Sequence, residues 1–139
     1  MRAVLSDFVD RATRYWPMEW IEVREESARS QDSGVVRARE GVRLRAALPV
    51  GGVVVACDGS GRALDSDAFA RWMRQRHEAA RDVSFLIGGA FGLTDELRSS
   101  ADERLAVAPW TLPHDLARLV LAEQLYRAGT ILRGEPYHK

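Results

Sequence analysis

Residues 53–57 read Val-Val-Val-Ala-Cys, an apolar run with no polar position to turn toward water. A strand of that kind must be covered on both faces, as happens inside a parallel sheet packed between helices. A second run, residues 83–87 (Val-Ser-Phe-Leu-Ile), follows one βαβ unit further along. Between the two, residues 67–80 carry Phe69, Trp72, Met73 and Arg76 at helical spacing, with Ser66 placed to cap that helix. Strand, helix, strand in this order predicts an α/β domain with a mainly parallel sheet.

The rest of the chain fits that plan. Residues 2–13 put Val4, Leu5, Phe8, Val9 and Ala12 on one helical face, and Pro17 ends the pattern. Residues 18–23 alternate as a strand does, and residues 25–34 form a polar loop. Residues 35–48 read as an arginine-studded helix with Val35, Val42, Leu44 and Leu48 as core contacts, closed by Pro49, Gly51 and Gly52. Asp58, Gly59, Ser60 and Gly61 turn the chain after the first apolar run. Thr94 caps a helix after a loop with Gly88, Gly89 and Gly92; residues 105–108 form a short strand, and residues 115–132 the last helix. The 139 residues hold no repeat, low-complexity stretch or linker, so a single domain over 1–139 is expected.

Composition narrows the class. No run approaches the roughly 20 apolar residues of a membrane span, and the first residues carry no apolar block of signal-peptide type. Cys57 is the only cysteine, which rules out an intramolecular disulfide and argues against a cysteine-based metal site. With Val54, Val55 and Ala56 before it, Cys57 reads as a buried strand thiol rather than a nucleophile. These features point to a cytoplasmic protein with no metal and no membrane partner. Net charge is zero, so any RNA partner is met through a local patch or through shape. The densest basic cluster is Arg37, Arg39, Arg43 and Arg45, a solvated helix face or an RNA-backbone contact.

Ligands of open parallel sheets bind outside the carboxyl ends of the strands. Three unusual segments fall there: Cys57-Asp58-Gly59, the loop Gly88-Gly89-Ala90-Phe91-Gly92, and the stretch from Ala108 to His114. The glycine loop lets backbone approach a ligand closely, although it is not the G-x-G-x-x-G of dinucleotide folds. Pro109 and Pro113 bracket a run where no ladder can continue. Its backbone suits recognition of a flat heterocycle such as adenine; a rigid connection is the alternative. His114 can cap the last helix, touch phosphate or act as a base. Glu123 and Arg127 have the spacing of an i,i+4 ion pair. Tyr137 and His138 follow Pro136 in the terminal segment, and His77 lies on an arginine-rich helix facing solvent.

Several of these segments together resemble one family. The stretch from Val83 to Gly89 followed by Gly92-Leu93, the Thr111-Leu112-Pro113-His114 segment with Leu121 to Ala128 after it, and the tail Pro136-Tyr137-His138-Lys139 are similar to the ribosomal large-subunit pseudouridine N3-methyltransferases, the RlmH family of SPOUT methyltransferases. Arg39-Glu40-Gly41 through Asp58-Gly59-Ser60-Gly61 matches as well. The resemblance runs from about Val4 onward and is most specific in the C-terminal half.

It implies a SPOUT methyltransferase fold, α/β with a mainly parallel sheet flanked by helices and a C-terminal trefoil knot, one of the rare exceptions to unknotted topology. It implies a homodimer with S-adenosyl-L-methionine (SAM) as cofactor and ribosomal RNA or the assembled ribosome as partner. Cys57, Gly88 and the loop Val107, Ala108, Pro109, Trp110, Thr111 and Leu112 would hold the cofactor. His114, Arg127, Tyr137 and His138 match family positions near the chemistry, where they would position RNA or handle a proton. Three departures stand out. The family's first strand and its glycine–lysine turn lie ahead of the helix that here starts near Arg2. Ala90 and Phe91 replace the proline and glutamate of the family's Gly-Gly-Pro-Glu-Gly loop. The loop from Arg29 to Gly34 holds no lysine. A divergent, noncatalytic paralogue that binds RNA or ribosomes as a dimer is the alternative reading.

Overall fold

The computed structural model describes residues 1–27, 29 and 32–139. Part of the predicted polar loop, residues 28, 30 and 31, lies outside the described residues. The elements run α1 (Arg2–Thr13), α2 (Ser33–Ala47), β1 (Val53–Ala63), α3 (Ser66–Glu78), β2 (Val83–Ile87), α4 (Asp95–Ser100), β3 (Glu103–Ala106) and α5 (His114–Leu132). They fall into two compact units: Ile21–Ala63 with Asp82–His114, and Met1–Trp20 with Leu64–Arg81 and Asp115–Lys139.

The first of these units contains the sheet. Its three strands are all parallel, in the order β2-β1-β3, so the predicted α/β class with a parallel sheet holds. Val53 pairs with Val83 and Cys57 with Ile87, which brings both apolar runs to the same level at their carboxyl ends. Ala56 and Leu86 face Leu93 and Leu97, with Leu44 of α2 and Leu48 at its end packed against them. A leucine fully buried in this way stabilises the fold by about 1.5–3 kcal/mol.

Asp58 to Gly61 do not turn the chain. Leu105 of β3 pairs with Cys57 and again with Arg62, so these four residues bulge out of β1 and the strand then resumes. The reason is local chemistry. The Asp58 carboxylate accepts from the backbone N–H of Ser60 and from its hydroxyl, holding the bulge. Gly61 lets β3 close in, since a β-carbon there would lie 2.6 Å from the Leu105 nitrogen. The third strand also sits earlier than predicted, at Glu103–Ala106. Asp102 anchors it by accepting from Val54 N–H and donating its own N–H to the Val54 carbonyl.

Helix α2 buries Val36, Glu40 and Gly41, while Val35 and Val42 are 41% and 70% exposed. The predicted core contacts at Val35 and Val42 are therefore wrong, and those at Leu44 and Leu48 stand. Val36, Glu40, Leu44 and Leu48 recur every fourth residue, so a carboxylate occupies a position on the apolar stripe.

The second unit contains α1, α3 and the body of α5. Helix α1 has the predicted bounds, but residues 18–23 are irregular rather than a strand. Trp16 donates its indole N–H to the Leu125 carbonyl at 2.8 Å, and Tyr15 packs on Gly129, where any side chain would overlap its ring. Asp65, not Ser66, caps α3, accepting from Ala68 N–H at 2.7 Å; the Ser66 hydroxyl instead donates to Gln124. Phe69, Ala70, Trp72 and Met73 are buried, and Arg76 lies over the Trp72 ring at 4.5 Å. His77 is exposed, edge-on to Trp16. Among the described residues, no helix is long and apolar enough to cross a membrane.

Candidate functional site

In the sheet-bearing unit, parallel pairing sets the ends of the strands side by side. Cys57 closes its ladder opposite Ile87, so Cys57 and Gly88 are neighbours at the rim. Beyond β3, Val107, Ala108 and Leu112 are half-buried, whereas Pro109, Trp110 and Thr111 are exposed, Trp110 by 78%. Gly88 thus follows the carboxyl end of β2 and residues 107–112 follow that of β3, whereas Cys57, expected at a strand end, lies within β1 at the last residue before its bulge.

Glycine is required in the β2 loop. Gly88 is buried, and a β-carbon on it would overlap the backbone of Gly92. Gly92 has φ +77° and donates its N–H to the Gly89 carbonyl, closing a tight turn over Ala90 and Phe91. A β-carbon on Gly89 would lie 2.6 Å from Oε1 of Glu40. Phe91 is 38% exposed. Thr94 caps α4 as expected, accepting from Leu97 N–H, and its side chain also rests against Gly41 of α2.

Cys57 keeps some exposed surface, yet burial of the thiol pushes its pKa up to about 12. The protein around the sulfur governs its ionisation, so the expected inert strand thiol is what the structure contains.

His114 opens α5, and its Nε2 lies 3.3 Å from Glu25 Oε1. The neighbouring Glu26 gathers cations: its carboxylate meets Arg43 and lies 3.6 Å from Arg39, which holds its pKa below the usual carboxylate range. Its backbone N–H donates to Glu40 Oε2 at 3.1 Å. A short strap, Arg24 to Glu26, therefore joins the start of α5 to the helix beneath the glycine loop. The sequence places Glu25 and Glu26 in the polar loop, leaves Arg24 between that loop and the strand expected over 18–23, and gives none of the three a role. Residues brought together only by tertiary contact leave no local signal. Arg45, also of the basic cluster, pairs with Glu96 at 2.9 Å.

In the other unit, Arg127 and Tyr137 converge on Glu123, and His138 joins them through Arg127. Arg127 donates from Nε and Nη2 to Glu123 Oε1 at 2.9 and 2.8 Å, and the Tyr137 hydroxyl donates to the same oxygen at 3.0 Å. Arg127 Nη1 lies 2.9 Å from His138 Nδ1, while His138 Nε2 lies 3.7 Å from Asp67. An arginine can only donate, so Nδ1 accepts and the neutral ring carries its proton on Nε2. The Tyr137 ring packs edge-on to Tyr126 at 4.6 Å, with the Arg127 guanidinium 4.8 Å above it. Burial and the bond to Glu123 raise the Tyr137 pKa, so at neutral pH it is a donor and not a base. The terminal residues are thus fixed by α5, and the expected Glu123–Arg127 pair is the hub. Of the four residues expected near the chemistry, three meet here and His114 stands in the sheet-bearing unit. Among the described residues, no group of three or more histidine, cysteine or acidic side chains could hold a metal ion.

Comparison with known proteins places this geometry in a family. Residues 1–138 match the model of a family described as a predicted SPOUT methyltransferase. A protein of Gemmatimonas aurantiaca named ribosomal RNA large subunit methyltransferase H is 57% identical over 135 residues, which covers 97% of this chain and 88% of that protein. Proteins of the same name from Anaeromyxobacter sp. (strain K) and Syntrophotalea carbinolica are 47% and 41% identical, over 97% and 99% of this chain and 88% and 89% of theirs. A parallel sheet with a glycine loop and a proline-bracketed segment at its strand ends, carried by a sequence this close over nearly its whole length, belongs to the SPOUT methyltransferase family, in its ribosomal RNA large subunit methyltransferase H branch.

Proposed function

We propose that the protein is a SAM-dependent methyltransferase that acts on N3 of a pseudouridine in large-subunit ribosomal RNA, as a single domain over residues 1–139 with the family's knotted C-terminal threading. The observation that carries this reading is 57% identity, over 97% of the chain, to a protein named for methylation of that RNA. The β2 loop suits the cofactor: Gly88 and Gly89 leave no room for side chains, and behind Gly89 lies the buried Glu40 carboxylate, whose Oε1 has no hydrogen-bond partner among the described residues and suits a cationic ligand. Cys57, Gly88 and residues 107–112 would hold it. When bound, SAM supplies an electrophilic methyl group.

The chain's own residues then have two tasks, aligning N3 with that methyl group and helping N3 lose its proton. His114 faces Glu25 at 3.3 Å, an arrangement that orients its imidazole. Arg127, locked to Glu123, and His138, bonded to Arg127, are held in fixed directions for contact with RNA. Exposed Val42 and Trp110 provide apolar surface for a second copy in a homodimer.

Calorimetry with SAM and S-adenosylhomocysteine, followed by methylation of ribosomes lacking the modification, tests the proposal. Micromolar binding and a new N3-methyl group by mass spectrometry of the RNA are expected. A folded protein that binds neither ligand, or that binds ribosomes and leaves them unmethylated, overturns it.

A further inference from the structure

Glu40 is the most unusual side chain in the sheet-bearing unit. It is only 6% exposed, and the other buried residues of α2, Val36 and Gly41, are apolar or small. One carboxylate oxygen, Oε2, accepts the Glu26 N–H at 3.1 Å. The other, Oε1, is buried and has no hydrogen-bond partner among the described residues. A buried carboxylate oxygen without a donor is costly, so such a group is retained where something it faces makes use of its charge. Oε1 faces Gly89, where even a β-carbon would come within 2.6 Å of it. The arginines nearby do not resolve this charge: Arg43 and Arg39 are directed at Glu26.

We infer that Glu40 is an electrostatic specificity residue of the glycine loop, whose negative charge, placed directly behind Gly89, makes the site prefer a cationic ligand over its neutral counterpart. This rests on the proposed cofactor. SAM carries a positive sulfonium, and the product left after methyl transfer, S-adenosylhomocysteine, carries a neutral thioether in its place. A fixed carboxylate in a partly buried setting discriminates between the two, because the attraction is weakly screened there. Glu40 would thus favour loading of cofactor and exit of product without touching the reacting atoms. The substitution Glu40→Gln removes that charge and keeps the shape: the new amide oxygen can accept the Glu26 N–H, which turns the amide NH2 donor toward Gly89.

The test is calorimetric binding of SAM, sinefungin and S-adenosylhomocysteine to wild type and Glu40→Gln. Sinefungin carries a protonated amine near the sulfonium position and cannot transfer a methyl group. In the variant, affinity for both cations is expected to fall about tenfold and that for S-adenosylhomocysteine less than threefold. Equal losses for all three ligands, or none, overturn the inference and leave Glu40 a structural residue. If wild type binds none of the three, the cofactor reading falls and this inference with it. Should Glu40→Gln not fold, judged by circular dichroism, wild type alone decides: sinefungin must bind about tenfold tighter than S-adenosylhomocysteine, and equal affinities overturn the inference.

Discussion

Arg127 donates from Nη1 to Nδ1 of His138 across 2.9 Å, tying the C-terminal segment to α5. Because Arg127 and Tyr137 both donate to Glu123 Oε1, the tail is held at two points by one carboxylate and one guanidinium. His138→Ala removes one anchor and leaves the Glu123–Arg127 pair in place. Single-turnover methylation of RNA is expected to fall by about a hundredfold, the scale of a lost proton-handling or positioning group, with SAM affinity within about twofold. Undiminished methylation would remove His138 from the working residues.

Two glycines in the β1 bulge look alike in sequence and differ in surroundings. A β-carbon on Gly61 would lie 2.6 Å from the Leu105 nitrogen and 2.7 Å from the Arg104 carbonyl carbon, all backbone of a paired strand. On Gly59 it would meet nothing within 4 Å. Gly61→Ala is expected to destabilise by about 2–3 kcal/mol, the scale of overpacking against atoms that cannot yield, and Gly59→Ala by less than about 0.5 kcal/mol. Urea unfolding of the two variants checks this; similar midpoints would mean that β3 does not approach Gly61 so closely.

The thiol of Cys57 has its pKa raised from 9.0 to about 12 by burial. A group with a raised folded-state pKa contributes stability that is fully present below the unfolded value and is lost as pH rises through the folded one. The Cys57 contribution is therefore intact below about pH 9 and lost between pH 9 and 12. Iodoacetamide at pH 8 should label native protein at least about a hundredfold more slowly than urea-unfolded protein, since the thiolate is the reactive form. Equal rates would show an ionisable, open thiol.

The sheet was legible because unbroken apolar runs are the composition of parallel strands: residues 53–57 and 83–87 are the segments that pair, in register from Val53 to Cys57. The candidate site was legible mainly through resemblance, since chemistry alone left Cys57, His114 and the glycine loop with more than one role. What failed did so where hydropathy and tertiary environment part. Met18 and Trp20 are half-buried between exposed neighbours, so their alternation reports partial cover, but no strand pairs with them. On α2, exposed Val42 and buried Glu40 invert the usual assignment, so apolar periodicity finds Leu44 and Leu48 but misses the carboxylate on the same stripe. The contacts of Glu25 with His114 and of Glu26 with Glu40 join residues far apart in the chain, and no local pattern encodes them.

The start of α3 separates two adjacent residues that sequence reasoning cannot rank. Asp65 and Ser66 are both good capping types. Asp65 has extended backbone and accepts the Ala68 N–H at 2.7 Å, while Ser66 is already helical and donates its hydroxyl to Gln124 Oε1 at 2.8 Å. The aspartate also places negative charge at the positive end of the helix dipole. Asp65→Ala is expected to cost about 1 kcal/mol, the usual value of a lost N-cap. Ser66→Ala should cost about 0.5 kcal/mol, since it gives up one partly exposed side-chain bond. Thermal and urea unfolding monitored by circular dichroism give both numbers. A larger loss for Ser66→Ala would return the cap to Ser66 and move the start of the helix one residue on.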